Sequence, residues 1–297
     1  MTLKKGTLTM AKFGPAGLAD SFKALGYRKS EDIADYLARF SLTAYEYQCG
    51  HGVRIKDETA KRIGTALKEK GIRVSIHAPY YISMSSEDEE KRLNSIEYLL
   101  QSAKALKAMG GKRIIFHPGS CGKMDRGERL KKAVDTMEKS VVALDDAGYG
   151  DMILCPEVMG KINQLGSLEE VLTLCKIDPR IIPCVDFGHL NARTYGMLKG
   201  TDDFVRVVDT IANTLKDERY RHFHSHFSRI EWTKGGEKRH WTLRDTDYGP
   251  DWMPFVDMIA LKGLDLTVIC ESAGTQTEDA ALMMNYLNNK LNKENNK

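Results

Sequence analysis

Residues 113–120 read Arg113-Ile114-Ile115-Phe116-His117-Pro118-Gly119-Ser120, a short apolar, β-branched run that ends on a histidine and passes at once into a Pro-Gly turn. A run of this length without polar alternation has the pattern of a parallel strand covered on both faces. Helix-like stretches flank it, Lys91 to Met109 before and Arg129 to Ala147 after. Gly110-Gly111 and Gly148 supply the stops that helices take ahead of the next strand. Seven further runs repeat the pattern: Leu8 to Phe13, Ala44 to Tyr47, Val74 to Ile76, Met152 to Cys155, Ile181 to Val185, Arg221 to Phe223 and Leu266 to Cys270. Ser86-Glu87-Asp88-Glu89 and Ser167-Leu168-Glu169-Glu170 fit the capping box that opens a helix. Eight such alternations predict an α/β fold, a (β/α)8 TIM barrel, rather than an open doubly wound sheet, which would gather ligand groups at one switch point.

The strand ends carry the chemistry. His77, His117, Glu157, Asp186, His224 and Glu271 each close one of these runs, at intervals of 40, 40, 29, 38 and 47 residues. Ligands on one helix or one zinc finger lie within a few residues of each other, so these groups require a repeating fold to bring them together. A barrel does so at the C-terminal ends of its strands. There Glu157, Asp186 and Glu271 would repel one another, and burying a lone carboxylate costs several kcal/mol. A cluster of divalent cations removes that cost and accounts for the imidazoles among the acids.

Composition sets the outer bounds. At 297 residues the chain suits one barrel of roughly 250 residues with short additions, so residues 1–297 are expected to form a single domain with a tail fraying from about 288. The 42% apolar content supplies a core, and 29% charged residues with a mean hydropathy of −0.40 fit an aqueous protein. No run approaches the roughly 18 to 20 apolar residues that span a bilayer, and no apolar segment follows Lys4-Lys5, so the cytoplasm is the expected compartment. The six cysteines form no C-x-x-C pair and are expected to act as small buried hydrophobes. A net charge of +3 permits a nucleic-acid partner without arguing for one.

The motifs His77-Ala78-Pro79-Tyr80, Phe116-His117-Pro118-Gly119-Ser120, Val185-Asp186-Phe187-Gly188-His189, the His224-x-His226 strand, Lys238-Arg239-His240 and the strand-end Glu157 and Glu271 together resemble the endonuclease IV family of apurinic/apyrimidinic endonucleases, in the xylose-isomerase-like barrel superfamily. The resemblance runs from about Leu8 to the final helix. It implies three zinc ions, with two to three expected here and Mn2+ or Mg2+ as substitutes. His77, His117 and Glu157 would hold one ion; Glu157 would bridge to a second held also by Asp186, His224 and Glu271; His189 and His240 would hold the third. The family's remaining ligand, an Asp two residues before the last His, is Lys238 here, and Glu237 is the expected substitute. His226 points to the same strand face as His224 and is an additional candidate ligand.

The resemblance further implies hydrolysis of DNA on the 5′ side of an abasic site by a monomer. Glu157 and Glu271 would be catalytic, Glu157 orienting or deprotonating the attacking water. Tyr80, Arg54 and Arg239 are the expected DNA contacts, with Lys161, Arg193, Arg229, Lys234 and Arg244 as further cations, although Gly50-His51-Gly52-Val53 departs from the family's polar recognition loop. Two other functions compete. A sugar isomerase or epimerase would use Glu157, Asp186, His224 and Glu271 around one ion, and a metal-bound barrel without catalysis would only bind DNA.

Overall fold

A computed structural model describes residues 11–122 and 125–295; the expected strand residues 8–10 and the chain start lie outside the described residues. Eight strands run parallel: β1 (Lys12–Pro15), β2 (Ala44–Gln48), β3 (Arg73–His77), β4 (Arg113–Phe116), β5 (Ile153–Pro156), β6 (Cys184–Asp186), β7 (His224–Phe227) and, last in the chain, β10 (Thr267–Cys270). Two four-stranded arcs, β2-β3-β4-β5 and β6-β7-β10-β1, are closed into a barrel by parallel bridges. Ala16 pairs with Glu46 at one seam, and Leu154 with Ile181 and Glu157 with Cys184 at the other. The first seam depends on a glycine: a Cβ on Gly14 would stand 1.8 Å from the carbonyl oxygen of Ala44.

Around the barrel lie the crossover helices, among them Asp57–Glu69, Glu89–Met109, Arg126–Asp146, Leu168–Cys175 and Thr201–Leu215. Their apolar stripes bury Leu99, Leu106, Met137, Val171 and Phe204 against the outward faces of the strands. Ser167 caps its helix in a capping box with Glu170 as expected. The helix after β3, however, is capped by Asp88, whose side chain accepts from the N–H groups of Glu90 and Lys91, and Ser86 lies outside it. The six cysteines are buried free thiols.

Two further expectations are corrected. The final helix runs Gln276–Asn295, so residues 288–295 are helical rather than frayed, and 296–297 lie outside the described residues. Leu287 is buried, Leu291 packs on the core and Lys290 pairs with Asp257 at 2.6 Å, which together hold the last turns down. The seventh strand is His224–Phe227, not Arg221 to Phe223, because Glu218–Arg221 forms a 3-10 turn that delays the strand. Between β7 and the next helix an antiparallel hairpin, β8 (Arg229–Thr233) and β9 (Gly236–Trp241), stands apart from the barrel ladder. None of the described helices is long and apolar enough to cross a membrane.

Candidate metal centre

At the C-terminal mouth, His77 closes β3, His117 follows β4, Glu157 follows β5, Asp186 ends β6 and Glu271 follows β10. Glu157 is their meeting point. One carboxylate oxygen, Oε2, lies 3.1 Å from Nε2 of His77 and 3.3 Å from Nε2 of His117, and the other, Oε1, lies 3.1 Å from Nδ1 of His189 and 3.3 Å from Nδ1 of His226. Burial opposes ionisation of Glu157, but His226, His117 and His189 outweigh it and hold the carboxyl well below the usual range.

Asp186 caps the helix Phe187–Arg193 through Oδ1, which accepts from the backbone N–H of His189 at 2.7 Å. Its other oxygen, Oδ2, is buried without a hydrogen-bond partner. Burial pushes this carboxyl up to about 6. A buried, unsatisfied carboxylate oxygen aimed at neighbouring imidazoles is what a cation would satisfy.

The strand register corrects the sequence expectation for β7. His226, not His224, pairs with Asp186 across β6 and with Ile269 across β10, whereas His224 sits one inward layer deeper, beside Cys184 and Thr267. Nδ1 of His226 faces Glu157 and Glu271, the latter at 3.5 Å. His224 turns instead to Glu46, 2.9 Å away, and burial pushes its imidazole down to about 4. Donor atoms of Glu157, Asp186, His226 and Glu271 therefore converge as one group, and those of His77, His117 and Glu157 as another.

A third group joins His189, Glu237 and His240. The hairpin brings it about. Along β9, Arg239 pairs with Glu231 and Glu237 with Trp232, so Lys238 is the extra residue of a β-bulge. In a regular strand a ligand two residues before His240 would share its face; the bulge transfers that position to Glu237, three residues before. Lys238 meanwhile donates to Glu231 at 2.5 Å. Glu237 lies 3.4 Å from Nε2 of His189 and 3.9 Å from Nε2 of His240. The hairpin is docked on the loop after β5 by bonds from Glu237 N–H to Gly160 O and from Ile162 N–H to Gly235 O.

The second nitrogen of several rings is also placed. His77 donates from Nδ1 to the carbonyl of Ala78, His189 from Nδ1 to the carbonyl of Val158, and Nδ1 of His240 meets Ser228 Oγ at 2.8 Å. Such outer partners fix the tautomer and leave Nε2 free to bind an ion. Around a tetrahedral zinc with bonds of about 2.0–2.1 Å, donor atoms stand roughly 3.3 Å apart. The contacts of 3.1–3.3 Å from Glu157 to Nε2 of His77, Nε2 of His117 and Nδ1 of His226 match that spacing. The donor set, imidazoles and carboxylates with one orphaned oxygen, fits divalent metal.

His77, His117, His189, Glu237, His240 and Glu271 line an open cavity of about 360 Å³ together with Tyr80, Met159, Lys161 and Gln164. The largest hollows, at the opposite barrel end beside Arg73 and Arg113 and between outer helices beside Arg193 and Met197, lack such convergence among the described residues. Tyr80 is 53% exposed beside His77 and His117, with ring centroids at 5.9 and 5.5 Å. Arg54 is exposed in the loop after β2, 3.5 Å from the carbonyl of His51. Arg239 is paired with Glu231 at 2.7 Å and stacked over Trp241. Arg193 and Arg229 are committed to backbone carbonyls. Glu46, Ser228 and Gly160 were not singled out in the sequence. Of these, Glu46 alone left a signal, a charge inside the strand run Ala44 to Tyr47.

Histidine and carboxylate groups that could hold metal ions thus adjoin at the C-terminal mouth of a closed parallel barrel. The chain belongs to the xylose isomerase-like TIM barrel family, whose sequence profile matches residues 34–289. It is 34% identical over 286 residues to the uncharacterized protein MJ0133 of Methanocaldococcus jannaschii, covering 93% of this chain and 97% of that one. Over 154 residues it is 28% identical to the probable endonuclease 4 of Acholeplasma laidlawii, a match spanning 49% of this chain and only 51% of that relative. Among solved structures, endonuclease IV from Thermus thermophilus superposes with a TM-score of 0.64 at 18% identity, covering 95% of this chain and 99% of that one. A D-psicose 3-epimerase superposes with a TM-score of 0.65 at 14% identity over 93% and 97% of the two chains. At these identities both structures share the fold with this chain.

Proposed function

We propose that the protein is a zinc-dependent endonuclease that hydrolyses the phosphodiester 5′ to abasic sites in DNA. The observation that carries this reading is the third group, His189, Glu237 and His240, adjoining the other two through Glu157. A one-ion sugar isomerase or epimerase needs only Glu157, Asp186, His226 and Glu271. It leaves His77, His117 and the hairpin pair without a task. A barrel that merely binds DNA has no use for an open, charge-dense mouth.

When bound, adjacent zinc ions would activate water and stabilise the attacking and leaving oxygens of a phosphodiester. Glu157, with both oxygens surrounded by imidazoles, is suited to bridging and holding the groups in register. Glu271 is the less enclosed carboxylate, with a 17% exposed side chain, and is placed to orient the attacking water and accept its proton. His189, Glu237 and His240 lie on the hairpin side of the cavity and would face the leaving oxygen. Tyr80 would stack at the mouth against the flanking nucleotide, with Lys161 and Arg54 as phosphate partners. Arg239, already paired with Glu231, contributes less than the sequence suggests.

The test is incision of an oligonucleotide carrying one abasic site by fully metal-loaded protein. Cleavage 5′ to the site with a 3′-hydroxyl product supports the reading; intact substrate under those conditions overturns it. Metal analysis separates the alternatives, since one Mg or Mn per chain favours the epimerase.

Gly160 offers a narrower check. A Cβ there would meet Glu237 Cβ at 2.5 Å and His189 Cδ2 at 2.9 Å. Gly160→Ala is therefore expected to displace the hairpin and lower the metal content by one ion per chain, while the metal-free variant melts near the metal-free wild type. Unchanged metal content would remove the hairpin from the centre.

A further inference from the structure

We propose that Glu46 is a positioning residue for the metal centre: from within the barrel it fixes the tautomer and donor strength of His226. The inference rests on the metal-centre reading and concerns a residue beneath it. Glu46 is fully buried on β2. Its Oε2 accepts from Ser75 Oγ at 2.9 Å and lies 2.9 Å from Nε2 of His224. Its Oε1 accepts from Gln48 Nε2 at 3.1 Å and makes a close charge contact with Nε2 of His226 at 3.0 Å. The opposite nitrogen of the same ring, Nδ1, faces Glu157 and Glu271. His226 thus stands between a carboxylate behind and the candidate ion position in front.

The other rings are backed differently. His77 donates to a backbone carbonyl and His240 meets a serine hydroxyl, both neutral partners, whereas Nδ1 of His189 is shared between the carbonyl of Val158 and the carboxylates of Glu157 and Asp186. A carboxylate behind a ligating imidazole orients the ring and raises its basicity more than a neutral acceptor does, and losing such a partner typically costs 10- to 100-fold in metal affinity. Ser75, Gln48 and His224 hold Glu46 in turn, so the carboxylate has no freedom to swing away.

A fourth ion is the competing account, because Cys184, His224 and His226 also bring donor atoms within 4.8 Å of one another. The carboxylate argues against it. Gln48, Ser75 and Nε2 of His224 bond to Glu46, and Nε2 of His226 faces its charge at 3.0 Å without a hydrogen bond. A cation shared with Cys184 would have to break the Glu46 contact of His226 or rely on Nδ1 of His224 alone.

Glu46→Gln preserves shape and removes the charge. Chelator competition on the zinc-loaded protein should show one ion weakened about 10- to 100-fold, and the visible spectrum of the cobalt-substituted protein should change at that ion. A purely structural role would lower the melting temperature and leave both readouts alone. Gln48→Met provides an opposite signature, since removing a competing donor from Oε1 should tighten the same ion; it also serves if Glu46→Gln does not fold. Wild-type affinity and an unaltered spectrum in either folded variant overturn the proposal. Wild-type protein that takes up no divalent ion overturns the metal-centre reading itself, and this inference with it.

Discussion

Glu157→Gln is expected to lower abasic-site incision by roughly a thousandfold, about 4 kcal/mol of barrier. The substitution keeps the side chain's size and removes the single charge on which His77, His117, His189 and His226 converge at 3.1–3.3 Å. Removing one partner from a buried ionic cluster costs about 3–5 kcal/mol, and here the lost partner is common to all the donor groups around it. The loss should fall on kcat, with KM for DNA nearly unchanged, because Tyr80 and Arg54 lie at the rim and are untouched. A variant retaining a tenth of wild-type incision in steady-state assays would show that Glu157 does not join the groups.

Stripping the metal should abolish incision and should also destabilise the fold increasingly as the pH is raised. Burial opposes protonation of His189, but Asp186, Glu157 and Glu237 outweigh it and hold this imidazole well above its ordinary value. A raised imidazole stabilises fully below its unfolded value near 6.5, and that contribution disappears as the pH rises through the folded value. Asp186 acts in the same direction. Its carboxyl, near 6 in the folded protein, holds a proton that the unfolded chain has released, so stability falls between about pH 4 and 6. Metal displaces these protons. The loaded protein should therefore hold its melting temperature while the stripped protein loses stability with rising pH. At free ion about 1,000-fold above Kd, each site adds about 4 kcal/mol. Calorimetry at pH 6 and pH 8 should show the larger gap at pH 8, and restored zinc should close it; a gap that narrows with pH would contradict the protonation scheme.

Most of the barrel was legible because its strands carry runs such as Ile114-Ile115-Phe116, apolar on both faces. β7 was misplaced for the opposite reason. Its residues, His224-Ser225-His226-Phe227, are largely polar because the inward face serves the site, and neither they nor Arg221-His222-Phe223 form an apolar run that marks the strand. Reading the strand as Arg221 to Phe223 makes His224 its end residue and leaves His226 as an additional candidate ligand only. Which of two inward histidines is level with Asp186 is a matter of interstrand register, and register is not written in one strand. Lys238 shows a similar limit: a bulge of one residue exchanges the faces of β9, and nothing in Glu237-Lys238-Arg239-His240 announces it. Glu46 needed three dimensions because its partners lie 29, 178 and 180 positions away.

The hairpin that carries Glu237 and His240 pairs with no barrel strand along its length, and it enters where an outer loop would otherwise cross from β7 to the next helix. Loops at this face tolerate insertion and exchange far more readily than the ladder beneath them. The third donor group is in that sense portable. A lineage could acquire or discard it as a single excursion of chain, moving between two-group and three-group chemistry while inheriting the same barrel.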